Sequence, residues 1–147
     1  MSSLYREFLD NLVDEIRDCE VQIDSIRIGE TTEIKAGEFR KVAIRVVPSS
    51  PTPEEALIGS KVRKYFAADI LVAVKGARDE DRIMRFETGL EDLIDTLVKK
   101  LRFSRLSDFL DVSPSSQIKE VRYLPLAGDR VARAILRFEG RKITKIN

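Results

Sequence analysis

Histidine and tryptophan are absent from this chain of 147 residues, and Cys19 is its single cysteine. Without histidine, the commonest general base and the commonest transition-metal ligand are missing. One cysteine cannot close an internal disulfide or complete a structural zinc site, and a reducing compartment is the natural expectation. No apolar run approaches the roughly 18 residues of a membrane span. The first residues reach the acidic Glu7 before any apolar stretch, unlike a secretory signal, so a soluble protein without membrane contact is expected. Neither Gly-x-x-x-x-Gly-Lys nor Gly-x-Gly-x-x-Gly occurs, and Asp79, Glu80 and Asp81 at an expected helix start would repel phosphate. Ser113, Ser115 and Ser116 have no identifiable partner base, and Glu87 with Glu91, one turn apart, reads as a solvated helix face. The expectation is no enzyme, no cofactor and no metal. Arg133, Arg137, Arg141, Lys142 and Lys145 form a basic stripe, but it lacks the aromatic interleaving that stacks nucleic-acid bases.

What is present is charge and pattern. The length fits one domain over 1–147. Charged residues make up 35% of the chain, against roughly 25% on average. Such a surface fits a heat-adapted source or crowded polar protein contacts. Its signs are uneven. Met1–Glu33 holds nine acidic and three basic residues, a net of −6, and Val112–Asn147 holds eight basic and three acidic, a net of +5. These are either two solvated faces or complementary surfaces on repeated copies of the chain.

Periodicity supplies the elements. Leu4, Phe8, Leu12, Val13 and Ile16 make one stripe of a helix over about 4–18, with Ser2 or Ser3 as cap. A short strand follows around Val21–Ile28, its alternation slipping near Ser25 as at a bulge. Val42, Ile44 and Val46 alternate with Lys41, Ala43 and Arg45 along a second strand. Lys61–Lys75 is the longest alternating run: Phe66, Ala68, Ile70, Val72 and Val74 on one face, Tyr65, Ala67, Asp69, Leu71 and Ala73 on the other. After it, Ile83, Phe86, Leu90, Leu93, Ile94, Leu97 and Leu101 step as a helix over about 79–103. Leu106, Phe109 and Leu110 suggest a packed loop or short helix. Ile118–Leu124 and Arg130–Phe138 form a hairpin whose Pro125 places the first arm near an edge; Gly140 ends that strong pattern, and Arg141–Asn147 is either a basic tail or a further short strand through Ile143. Together these predict a single α+β domain with a mixed or antiparallel sheet of four to five strands and both helices on one face.

Two features ask for a partner. The connection over about 48–61 is too long for a hairpin, and its Thr52-Pro53-Glu54-Glu55 has the form of a helix start, with a turn or two through Leu57. The sheet face away from the helices is mixed: Leu71, Val131 and Ile135 lie among Arg45, Asp69, Arg133 and Arg137. A face half apolar and half charged suits coverage by another subunit, with Asp69 offsetting an arginine. The candidate interface is therefore Arg45, Ser49, Ser50, Pro51, Glu54, Glu55, Asp69, Leu71, Arg133, Ile135 and Arg137.

This order of elements, carried by Lys41–Pro48, Tyr65–Leu101 and Val121–Glu139, resembles the tail terminator (tail-completion) proteins of long-tailed bacteriophages, such as lambda minor tail protein U. The resemblance spans about residues 4–140 and is one of pattern, without a diagnostic motif. It implies a structural virion protein of the phage tail, assembled in the host cytoplasm. Copies would form a homo-hexameric ring that stops tail-tube polymerisation and meets the neck or head-completion protein, while DNA passes through the lumen without specific binding. It implies no catalytic residue. Two other classes remain open: another neck or tail-completion component, and a cellular α+β dimer or small-ligand-binding module.

Overall fold

The computed structural model describes residues 3–31, 33–75, 89–111, 116–125 and 130–145. Helix α1 (Ser3–Arg17) leads to β1 (Ser25–Ile28), a single 3-10 turn (Ala36–Glu38) and β2 (Val42–Ser49). Then come β3 (Glu55–Leu57), β4 (Lys61–Lys75), α2 (Leu90–Leu101), β5 (Ser116–Tyr123) and β6 (Val131–Lys145). These elements form an α+β domain with a six-stranded mixed sheet, slightly larger than expected. Its order is β1-β2-β4-β6-β5, with β3 also on β4. Among the described residues, only the β1–β2 pair is parallel.

The alternation of β4 decides the layers. Phe66, Ala68, Ile70, Val72 and Val74 join Val42, Ile44, Val46, Ala132, Ala134, Leu136 and Phe138 on the face that meets both helices. From α1, Phe8, Leu12, Val13 and Ile16 of the expected stripe are buried there with Leu9 added and Leu4 half-buried at the edge, and from α2 come Leu90, Leu93, Ile94, Leu97 and Leu101. Gly89, with extended backbone (ψ 164°), is the N-cap of α2. The earlier part of the expected helix, 79–88, lies outside the described residues.

The rings of Phe8, Phe66 and Phe138 stack at centroid distances of 5.3 and 6.1 Å from Phe8, with Tyr5 and Phe109 edge-on around them. Tyr5 also serves the backbone. Its hydroxyl lies between the carbonyls of Ser49 (2.7 Å) and Ala67, and accepts the Ala67 N–H at 3.3 Å. Ser49 and Ala67 are the last pair of the β2–β4 ladder, and beyond them β2 leaves and β3 takes its place beside β4. Tyr5 thus fills a fork in the sheet.

Three expectations change. The strand begins at Ser25 and pairs with β2 in unbroken register, so the slip near Ser25 is a strand start and not a bulge. Residues 55–57 are strand, not helix: Glu55 pairs with Arg63 and Leu57 with Lys61 around a three-residue loop. Gly59 (φ 83°) and Ser60 (φ 59°) turn that loop, the left-handed region that glycine adopts without strain. Gly140 does not end a strand, since β6 continues to Lys145 alongside the whole of β4. A Cβ on Gly140 would stand 2.6 Å from Leu110 Cδ1, so glycine is there for close approach. The C-terminal hairpin has a register irregularity at Ile118/Glu120, on the edge strand β5 that Pro125 follows.

Leu106, Phe109 and Leu110 are buried in a non-helical segment. Leu106, Ser107 and Asp108 there have φ of 48°, 57° and 68°, a left-handed turn made without glycine, which costs roughly 1–2 kcal/mol per residue. The packing of Leu106, Phe109 and Leu110 into the core offsets it.

Asp24 ties the β1 entry to β2 by accepting the backbone N–H groups of Lys41 and Val42, the latter at 3.0 Å. These bonds favour the carboxylate, hold its pKa below the ordinary 3.8, and outweigh burial. A lowered folded-state pKa gives stability that is present above the unfolded value and lost as pH falls through the folded one. Asp24→Ala should therefore lower the urea midpoint at about pH 6, and the gap to the parent should narrow progressively as the medium is acidified below the ordinary carboxylate range. A constant gap would show that the carboxylate charge contributes nothing.

Candidate interaction surface

Three zones follow one another along β4 and β6, the first two on the face of the sheet away from the helices. The first is closed by the chain itself. Residues 33–40, the connection between β1 and β2, lay Ile34 and Phe39 over Ala43, Leu71, Ala73 and Val131. Arg133 donates to the Ile34 carbonyl from Nε (3.3 Å) and Nη2 (3.0 Å), pinning the connection down. Arg45 is 3% exposed, donating to Ser25 Oγ at 3.1 Å and the Ile44 carbonyl at 3.0 Å, with Glu38 at 3.5 Å. Burial, then the charge of Arg27, lowers its pKa, and Glu38 opposes both. Leu71 is fully buried. Here the expectation of an external cover is corrected: Arg45 and Leu71 lie under the chain's own connection, and Arg133 holds that cover in place.

The second zone is polar and brings expected residues together. Arg137 donates to Ser49 Oγ (3.1 Å) and the Ser50 carbonyl (2.6 Å), and stands 3.9 Å from Asp69 and 4.0 Å from Glu139. Asp69 and Arg137 are register partners on β4 and β6, so the offsetting pair follows from strand alternation. Thr52, expected to cap a helix, gives its hydroxyl to Glu139 at 2.8 Å. Asp69, Glu120, Arg122, Ile135 and Arg137 line a cleft of about 180 Å³. Its walls carry both charge signs, so a single charged ligand would find a repulsive group beside each attractive one. Pro51 is half-buried beside this zone and Glu54 is exposed.

The third zone is an arm. Past the fork, β4 runs on through Lys61–Tyr65 between β3 and the end of β6, Arg141–Lys145. Six cations, Lys61, Arg63, Lys64, Arg141, Lys142 and Lys145, share this arm with the one carboxylate of Glu55. Glu55 meets Arg63 at 3.7 Å and accepts the Tyr65 hydroxyl, a bond that raises the Tyr65 pKa. Lys142 is engaged at the base, donating to the Phe109 carbonyl at 2.8 Å above its ring. Asp111 secures the Ile143 N–H at 2.8 Å. At the tip, Ile58 is 98% exposed, and Ile143 is 40% exposed nearby along β6.

Sequence reasoning therefore brings together Ser49, Ser50, Asp69, Ile135 and Arg137, places Glu55 on the arm, and misses Thr52, Ile58, Tyr65 and Glu139. Gly59-Ser60, between Leu57-Ile58 and the alternating run that begins at Lys61, is the signal in the sequence for the arm. Among the described residues, no three His, Cys, Asp or Glu side chains gather to hold a metal ion, and no helix is long and apolar enough to cross a membrane. The chain matches no protein-family model, and no curated protein matches it.

Proposed function

We propose that this chain is a structural virion protein whose copies form a ring, a hexamer, that caps the tail tube of a long-tailed phage, ends tube polymerisation and offers the surface for neck and head attachment. The arm is the observation that carries the assembly part of this reading. Ile58, 98% exposed at the tip of a cationic hairpin, and Ile143, 40% exposed along the same arm, offer an apolar contact bordered by charge of one sign, which suits an interface. Opposite it in charge stands the α1–β1 region, where residues 3–31 hold eight carboxylates against three arginines. Two different surfaces of opposite sign suit head-to-tail association, which closes into a ring when the rotation per subunit permits. The tail-terminator part rests on the order of elements: helix, strand, long connection, long strand, helix, hairpin. Function would reside in surfaces, and DNA would cross the lumen without sequence-specific contact.

Native mass spectrometry tests the assembly, alone and with tail tubes. A species of about six copies is expected, and a stable dimer under every condition would overturn the ring. Electron microscopy of tails made without the protein should show over-long or headless particles. Tails of normal length, joined to heads, would remove the capping role.

A further inference from the structure

Beyond the ring itself, the strands that would join its subunits follow from the two ends of the sheet. Among the described residues β1 pairs only with β2 and β5 only with β6, so each leaves one edge of backbone unpaired. On β5 the Leu124 N–H goes to the Arg133 carbonyl at 2.9 Å. Alternation then turns Arg122 and Glu120 toward β6, and the backbone groups of Val121 and Tyr123 outward. The side chains of these two lie on the helix side, level with Leu136 and Ala134, yet are 37% and 43% exposed. On β1 the Gly29 N–H goes to the carbonyl of Val46, the residue level with Ile28. In a parallel ladder Arg27 then faces β2 likewise, and Ile26 and Ile28 turn their backbone groups outward. Their side chains are half-buried, also on the helix side.

Beside β1 there is room for a strand. A groove of about 480 Å³ runs between α1 and β1, lined by Val13, Ile26 and Ile28 among charged groups of both signs. Arg27 lines it too, although its side chain reaches Glu38 on the other face, so the groove opens along the outer edge of the strand. The chain's own β5 cannot fill it, since three strands stand between and set the two edges roughly 19 Å apart. We infer that β5 of one copy adds to the open edge of β1 in the next copy, antiparallel, with Val121 and Tyr123 entering the α1–β1 groove. Backbone and apolar groups make this contact, and one ion pair sets its register. Arg27 and Glu120 both point to the face away from the helices, and setting them opposite one another places Val121 beside Ile26. A shift of two residues would oppose Arg27 to Arg122, which like charge disfavours. Within one chain β1 and β5 run in opposite directions, so copies rotated about an axis along the strands meet in the required sense. Each copy gives one edge and receives one, the heterologous pattern that a ring requires. This rests on the ring reading and names the contact that would build it.

Cysteine cross-linking of the full chain tests it, in a Cys19→Ser background. One preparation carries Arg27→Cys and the other Glu120→Cys, an opposed pair within disulfide reach. Under mild oxidation each alone should remain uncross-linked, their mixture should give a covalent dimer, and a chain carrying both should give a ladder of multimers. Val121→Asp should weaken self-association about 10- to 100-fold, as the loss of a buried apolar side chain does. Glu120→Arg should weaken it too, with an unchanged thermal melt, and Arg27→Glu should restore it in that background. A covalent dimer from Glu120→Cys alone, the mark of β5 against β5, or full association by Val121→Asp, would overturn this contact while leaving the ring standing. A chain that stays monomeric even with tail tubes would overturn both.

Discussion

Phe8→Ala should destabilise the fold by about 3–5 kcal/mol, the largest loss expected from any single truncation in this core. Phe8 is fully buried and lies in contact with four other rings, those of Tyr5, Phe66, Phe109 and Phe138. It comes from α1, while Phe66 and Phe138 come from β4 and β6, so the ring bolts the helix to the two central strands. Removing it opens a void that neighbours fixed on paired strands cannot collapse to fill. For a domain of this size each kcal/mol moves the melting temperature by about 2–4 °C, so a fall of roughly 6–20 °C should appear by calorimetry. Leu4→Ala, on the half-buried edge of the same helix, provides the contrast and should cost clearly less. Equal losses at the two positions would mean that α1 contributes through its backbone and not through this ring.

Gly140→Val is the second. On an ordinary strand, valine in place of glycine stabilises, because it restricts the unfolded chain and suits pleated structure. Here the sign should reverse. The new Cβ would meet Leu110 Cδ1 at 2.6 Å, Cδ2 at 2.9 Å and Cγ at 3.3 Å. Leu110 has little room to retreat: it is 1% exposed and follows the left-handed turn at Leu106–Asp108. Overpacking of this kind costs about 1–3 kcal/mol. Leu110→Ala alone should also destabilise, yet the double variant should lose less than the sum, because each change relieves the other. Additive losses in a double-mutant cycle would show that Leu110 is not what requires glycine at 140.

The elements that sequence reasoning recovered are those whose partner is the core. The period of two in β4 and of three and four in α1 and α2 exists because one face of each is buried, and among the described residues most of each stripe is in the core, with Leu4 half-buried at its edge. Asp69 and Arg137 were also legible, since strand alternation puts both on the same face. Features made by distant partners were not. Thr52-Pro53-Glu54-Glu55 has every local mark of a helix start, but its threonine answers to Glu139 and its Glu55 to Arg63 and Tyr65. Tertiary pairing with the free edge of β4 overrides the cap. Arg45 and Leu71 were misplaced on an open face for a related reason. Their cover, residues 33–40, has only one 3-10 turn and no periodicity to announce that it packs on anything.

That cover has a consequence for the birth of the molecule. Its apolar underside includes Val131, and its carbonyl anchor is Arg133, 99 residues after Ile34. A nascent chain emerging from its N-terminus could form α1 and pair β1, β2 and β4 while the strand bearing those two residues is still unmade. Translation of residues 34–133 takes roughly 5–20 s at about 5–20 residues per second. Through that interval Ile34, Phe39 and Leu71 have no settled home, and the interior edge of β4 stands open for β6. Contacts of such long separation also slow folding once synthesis ends. The interval between translating β4 and translating β6 is thus when this chain is most exposed to premature pairing with its neighbours.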